Sequence, residues 1–487
     1  MIFYEPEEVR FLGKQDNCTI PPIPHSPSCL FLFILKEIIM KSALIVSKFG
    51  GTSMGDLSAM DRSAVISLER NSTVVVVSAT SGTTDKLIQI AKSASKGEIE
   101  ECEKLVFAIK ERHQAMMNEL PKNQLAFECL QSYFTEIDLL VQNISLLKEL
   151  TPKAHDHILS LGERMSSLLF REVLQNKAPN KKVHLLDART IIKTDSNFGK
   201  ATPLINQIAE RCKELDPNCL YVTQGFIGSD LDGNTTILGR GGSDYSAALF
   251  AEGLKANVLE IWTDVAGIAT TDPRLCSQAK IIPEISYAEA GEMAQYGAKV
   301  LHPATIAPAV RQSIPVFVGS TFEKNLPGTW IKAEVQNRPA VRAITKRSNQ
   351  TLLTISNPNM LNAYGFMGEI FDLFGKHRIS VDCVTTSEIS IAVTVDNTTL
   401  ENKDFIADLN LVGKIDVETG FALISLIGND LFSRANLAKS VFNCVDETSI
   451  RMMSLGASSY NFNFLIKDEV SKPCVQKLHR TLIEGVQ

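Results

Sequence analysis

Ala43-Leu-Ile-Val-Ser47 runs straight into Lys48-Phe-Gly-Gly-Thr-Ser53, and an amphipathic stretch follows over 57–69. The apolar run reads as a strand. The paired glycines read as a tight turn, and the stretch after them reads as a helix. The same alternation recurs. Thr73-Val-Val-Val-Val-Ser78, Val183-His-Leu-Leu186, Leu220-Tyr-Val-Thr223, Val258-Leu-Glu-Ile-Trp262 and Ile314-Pro-Val-Phe-Val318 are further short apolar runs. Runs without polar alternation suit strands buried on both faces, as in a parallel sheet. Helical stretches at 100–118, 153–176, 204–215, 243–255 and 286–297 lie between them. Strand and helix in alternation predict an α/β layered domain. The block 85–178 carries little strand signal and reads as an α-rich lobe.

The chain has 487 residues, which at about 100–200 residues per domain means roughly two to four domains. Lys and Arg total 49 against 55 Asp and Glu, a net charge of −6. A general nucleic-acid binder would carry a basic excess instead. Ten cysteines at 18, 29, 102, 129, 212, 219, 276, 383, 444 and 474 include no C-x-x-C pair. They read as buried thiols of a reducing cytoplasm, with no clustered Cys and His to suggest a zinc site.

Residues 1–39 differ from the rest. Pro21, Pro22, Pro24 and Pro27 break regular structure, and the apolar run Cys29–Leu35 is too short to cross a membrane. We expect a disordered or non-native extension, with Met40-Lys41 as the natural start; a targeting peptide is the rival reading. The last 150 residues hold an internal repeat at an offset of 71. Leu352-Leu353 falls on Leu423-Ile424, Ile370-Phe371 on Val441-Phe442, Ser387 on Ser458, and Val393 and Val395 on Phe464 and Ile466. Each copy reads strand, helix, strand, strand, helix, a tandem pair of small α+β modules. Arg338-Pro339 marks the linker. The expected division is 1–39, 40–337, 338–418 and 419–487.

Four motifs carry chemistry. Lys48-Phe-Gly-Gly-Thr-Ser53 opens a helix with glycines that let backbone N–H groups approach an anion. Its order differs from a Walker A loop, which occurs nowhere in the chain. Leu238-Gly-Arg-Gly-Gly-Ser-Asp244 is a second glycine-rich helix start, and Arg240 offers a fork that matches a carboxylate. Asp244 reads as a Mg²⁺ ligand or as an orienter of donors. Trp262-Thr-Asp-Val265, leading to Thr271-Asp-Pro-Arg274, lies where open α/β sheets bind ligands. In Gly297-Ala-Lys-Val-Leu-His-Pro303, Lys299 is a second phosphate cation. Two further places matter. Ser78-Ala-Thr-Ser-Gly-Thr-Thr84 ends a strand with hydroxyls. Gly162-Glu163 puts a glycine inside a helix, at a cost of about 1 kcal/mol, with close approach of a ligand as one reason and helix contact as the other.

These motifs, in this order, resemble those of the aspartate kinases of the amino-acid kinase family, and the doubled C-terminal module resembles their tandem ACT domains. The similarity runs from about Lys41 to the C-terminus and is greatest to the monofunctional, lysine-sensitive type. It implies an amino-acid kinase fold, a mostly parallel sheet between helix layers, followed by two ferredoxin-like ACT modules. It also implies ATP- and Mg²⁺-dependent phosphorylation of the β-carboxylate of L-aspartate, the first step toward lysine, diaminopimelate, threonine and methionine. A homodimer or tetramer is implied, with L-lysine the effector. An aspartate carboxylate is already ionised at pH 7, so no general base is required.

Carried over motif by motif, Lys48 contacts the transferring phosphate, while Gly50, Gly51 and Ser53 line the phosphate loop. Arg240 takes the α-carboxylate of aspartate and Glu163 its ammonium. Ser78, Thr84, Phe226 and Ser243 line the substrate pocket. Asp244 organises the lysines or Mg²⁺. Thr263, Asp264, Arg274, Lys299 and Val300 bind the nucleotide. The effector positions are Met360, Gly365, Phe366, Val381, Asp382, Ser387 and Glu388, with Asp382 and Glu388 receiving the ammonium groups. Ala269 stands where related enzymes often carry Tyr, and Ala363 where lysine-sensitive relatives carry Ser. The alternatives are a kinase for another acid and a catalytically silent amino-acid sensor. Length argues against a fused second enzyme.

Overall fold

The computed structural model describes residues 43–297, 303–361, 364–445 and 448–485. An eight-stranded sheet forms the first part. Its order is Val183–Leu186, Leu220–Gln224, Val74–Val77, Ile45–Phe49, Val258–Thr263, Val316–Ser320, Thr329–Lys332 and Glu284–Ser286. The first six strands are mutually parallel, and Thr329–Lys332 runs antiparallel to Val316–Ser320. Ile45–Phe49 and Val74–Val77 are buried throughout, which is why they read as unbroken apolar runs. Helices Leu57–Glu69, Pro152–Lys177 and Gly242–Leu254 pack against the sheet, joined into one apolar core. The α-rich lobe is four helices: Thr83–Lys96, Ile99–Glu119, Gln124–Leu147 and Pro152–Lys177. Thr151 caps the last of these by accepting from the Ala154 N–H, with Pro152 in the first turn, a start signal contributing about 1 kcal/mol.

A six-stranded antiparallel sheet follows, in the order Cys383–Thr386, Ser390–Asp396, Val341–Ser356, Lys414–Gly428, Asn461–Lys467 and Met452–Leu455. Its two central strands are long, and each serves both modules. Val341 and Ile344 share a core with Ala422, Ile424 and Leu426. Leu353 and Ile355 share the other core with Ile391, Val393 and Ile415. The switch falls where pairing shifts register between Arg347 and Leu352, with Asn349 at φ +59. Such an irregularity re-aims a strand. The start of the first long strand thus packs outside its own module's core: Val341 and Ile344 with the second core and Ala343 with the core of the first sheet, while Ile415 packs with the first module.

The second module is bonded to the first sheet's domain. Glu289, fully buried, closes a capping box with Ser286 and also accepts from Arg342 Nε (2.9 Å) and Asn429 Nδ2 (2.7 Å). Glu292 accepts from Ser458 Oγ and Asn461 Nδ2, both at 2.7 Å. No helix among the described residues is long and apolar enough to cross a membrane.

Candidate active site

The parallel strands Ile45–Phe49, Val74–Val77 and Val258–Thr263 end at one edge, and a cleft of about 490 Å³ opens there. Lys48, Gly50, Gly51, Ser78 and Thr84 line it, with Asp244, Thr263 and Asp264. Eight of the expected residues thus meet although they are spread from Lys48 to Asp264 in the chain. Gly51 is required by a close approach: a Cβ there would stand 3.3 Å from the Ala79 carbonyl oxygen.

Two helix N-termini belong to this region. Thr83–Lys96 starts after Gly82 at φ +76, and Gly242–Leu254 after Gly241 at φ +73. Neither start has a side-chain cap. The first N–H of each, on Thr83 and on Gly242, donates to the Thr80 and Gly239 carbonyls at 3.0 Å, and the helix dipole favours negative charge at the turn that follows. Lys48 Nζ lies 2.6 Å from Asp244 Oδ1, with both side chains largely buried. The Asp244 carboxylate therefore fixes where the Lys48 charge sits.

Glu163 is 3% exposed on helix Pro152–Lys177. Its Oε1 accepts from the Ala79 N–H at 3.2 Å, and its Oε2 has no hydrogen-bond partner. Burial pushes this carboxyl up to about 8. A buried acceptor without a partner costs on the order of 1–3 kcal/mol, so this one is held for something. Gly162 has a packing reason instead of a ligand. A Cβ would stand 3.0 Å from Ala79 Cβ and 3.3 Å from Leu87 Cδ1. The glycine brings the Glu163 helix against the Ser78–Thr84 loop.

Phe226 adopts φ +68, a strained value for a bulky residue. The turn is locked there: a Cβ on Gly225 would stand 2.6 Å from Ser243 Cβ, and one on Gly242 2.7 Å from Phe226 Cδ2. Phe226 and Ser243 are thus brought together, behind the cleft lining. Arg240 is exposed on the turn between them.

Two expectations shift. Ser53 is 1% exposed, and its hydroxyl bonds Thr321 Oγ1 at 3.1 Å, while Thr321 donates to the Thr263 carbonyl at 3.2 Å. Ser53 therefore braces the phosphate loop from behind instead of lining it. Arg274 is an exposed side chain forked on Asp272 at 2.6 Å, away from the cleft lining. Lys299 and Val300 lie outside the described residues, as do Ala363 and residues 1–39. Sequence reasoning missed Asp85, a third carboxylate in the cleft, in the first turn of helix Thr83–Lys96. Its signal was a first-turn acid after a glycine.

The effector positions fall on the first module. Gly365, at φ +87, precedes helix Phe366–Lys376, again without a side-chain cap. Met360 is buried, Phe366 and Val381 are half-buried, and Glu388 is exposed. The Asp382 side chain is buried, only 3% exposed, and pairs with Arg347 at 2.6 Å. Burial raises its pKa, and Arg347 opposes the rise. Ser387 Oγ bonds Ser390 Oγ at 2.7 Å. The fold also gathers Cys276, His479 and Glu484, with ligand atoms within 4.8 Å, although spacing showed no cluster. Both His479 nitrogens are engaged, by Thr270 Oγ1 and Glu484 Oε1.

A model of the amino acid kinase family matches residues 43–320, and an ACT-domain model matches 353–402. Lysine-sensitive aspartokinase 3 of Escherichia coli is 45% identical over 460 residues, 91% of this chain and 100% of the relative. Aspartokinase 1, chloroplastic, of Arabidopsis thaliana is 31% identical, covering 93% of this chain and 82% of its own length. Among solved structures, E. coli aspartokinase III in complex with aspartate and ADP matches with a TM-score of 0.80 at 43% identity, over 90% of this chain and 99% of that one. The same enzyme in complex with lysine and aspartate matches at 0.79 and 44%, with the same coverage.

Proposed function

The chain belongs to the amino acid kinase family and is an aspartate kinase, and we propose that its cleft passes the γ-phosphoryl group of ATP to the β-carboxylate of L-aspartate. A carboxylate oxygen attacks the γ-phosphorus, the bond to the β–γ bridging oxygen breaks, and ADP leaves with 4-phospho-L-aspartate as the product. No proton moves, because the nucleophile is already ionised. Catalysis is then positioning and charge stabilisation.

One observation carries the reading. Glu163 keeps a buried oxygen unpartnered behind Ala79 of the cleft, in which Lys48 and the glycine loop suit an anion. A substrate with one ammonium and two carboxylates meets both demands. Glu163 takes the ammonium, Arg240 the α-carboxylate, and Ser78, Thr84, Phe226 and Ser243 shape the pocket. Lys48, held by Asp244, takes the transferring phosphoryl, with Gly50 and Gly51 donating from the backbone and Ser53 supporting them. Thr263 and Asp264 form the nucleotide side, to which the family resemblance adds Arg274, Lys299 and Val300. Mg²⁺ fits these residues: Asp85, Asp244 and Asp264 offer the hard oxygen ligands it takes. When bound it neutralises phosphate charge.

Residues 40–337 form the catalytic domain in this reading, and the first ACT module takes L-lysine, as the E. coli enzyme does in its complex. Tyr364, Leu361, Met367 and Ile389 are exposed apolar side chains around that face, which supports a homodimer closing over it. A cytoplasmic setting agrees with the free thiols. The test is hydroxylamine trapping of the acyl phosphate. Hydroxamate should require ATP, Mg²⁺ and L-aspartate together, and folded protein giving none would overturn the reading.

A further inference from the structure

Arg112 lies on helix Ile99–Glu119 in the α-rich lobe, outside the cleft lining. Its Nη1 donates to the Ser81 carbonyl at 2.6 Å, and its Nη2 to the Gly55 carbonyl at 2.5 Å. Ser81 belongs to the loop after Val74–Val77, and Gly55 closes the turn after Ile45–Phe49. The two strands pair in register up to Phe49 and Val77, and the ladder ends where the Ser78 N–H donates to the Phe49 carbonyl at 3.1 Å. Beyond that point no direct hydrogen bond joins 50–56 to 79–84 among the described residues. The guanidinium spans the gap.

The next residue fastens the same loop. His113 is fully buried, and its Nδ1–H donates to the Ile109 carbonyl at 2.8 Å. Its Nε2 is therefore an acceptor, and the Thr80 hydroxyl donates to it at 3.1 Å. Thr80 Oγ1 is then left to accept from the Thr83 hydroxyl at 2.6 Å. Burial holds the imidazole neutral, down to about 4, so this chain of donors persists across the physiological range.

We propose that Arg112 is a positioning residue for phosphoryl transfer, whose fork sets the separation between the loop holding the phosphoryl donor and the loop holding the acceptor carboxylate. This rests on the assignment of the two loops given above. The guanidinium is planar and its donors are fixed relative to one another, so it holds two carbonyls at one spacing; an ammonium is a point donor and does not. Each loop contacts its own ligand through its own backbone and side chains. Loss of the fork should leave each ligand bound and misplace them relative to each other. Transfer needs the reacting atoms about 3–3.5 Å apart, and a displacement near 1 Å can cost about 10²-fold.

The experiment compares full-length wild type, Arg112→Lys and Arg112→Gln. Calorimetry gives Kd for MgADP and for L-aspartate separately, hydroxamate rates give kcat, and thermal melts report folding. Both variants should lose about 10- to 100-fold in kcat, with each Kd within about threefold of wild type. Wild-type kcat in both variants would overturn the proposal, as would a loss of rate matched by weaker binding of either ligand. Wild type without aspartate-dependent turnover would instead overturn the loop assignment, and the proposal with it.

Discussion

Beside the cleft Glu163 is buried with one oxygen unpartnered; in the first ACT module Asp382 is buried against Arg347 at 2.6 Å. Both regions leave helix starts uncapped, after Gly82 and Gly241 in one and after Gly365 in the other. Both can therefore accept an anionic group. They differ in how they treat the cationic end of an amino acid. Beside the cleft, Glu163 keeps a carboxyl oxygen without a partner. On the proposed effector face Asp382 is already paired with Arg347, while Glu388 is exposed, so an ammonium directed to Asp382 shares it with Arg347.

The largest expected effect is Lys48→Met. It removes the cation and leaves Asp244 unpaired in the cleft, so kcat should fall on the order of 10²–10³-fold. Hydroxamate rates measure it. The residual activity should keep the wild-type lysine midpoint, because the two regions hold separate charges; a shifted midpoint would break the contrast. Next comes Glu163→Gln. It keeps the shape and removes the charge, raising KM for aspartate on the order of 10²-fold. KM for ATP should stay near wild type in the same initial-rate series. A parallel rise in both would remove Glu163 from the ammonium site. Smaller still is Asp382→Asn, expected to raise the half-inhibitory lysine concentration by about 10-fold at unchanged kcat. Unaltered inhibition curves would mean that Asp382 serves only Arg347.

Much of this was legible in the sequence. Apolar runs and glycine turns located the strands and helix starts that carry Lys48, Gly51, Thr84 and Asp244 into one cleft. The repeat at offset 71 located both ACT modules. What stayed hidden depends on partners far away in the chain. Ser53 faces inward because Thr321 waits for it, and Asp382 is neutralised from across the sheet by Arg347. Arg112 looks like an ordinary solvated charge on an amphipathic helix. The sharing of the two long strands was invisible because an apolar run such as Phe421–Ile427 shows that it is buried but not which core it enters.

The protonation of Glu163 gives the most direct test. With its folded value raised to about 8, the ligand-free protein holds a proton there at pH 7. That contribution to stability is full below the unfolded value near 4.5 and is lost as pH rises through about 8. An aspartate ammonium reverses the preference and favours the carboxylate, so binding should expel the proton. Calorimetric titration of L-aspartate at pH 7, in two buffers of different ionisation enthalpy, counts the protons released. The account predicts about 0.9 proton per site for wild type and none for Glu163→Gln. Wild-type binding without proton release would contradict it.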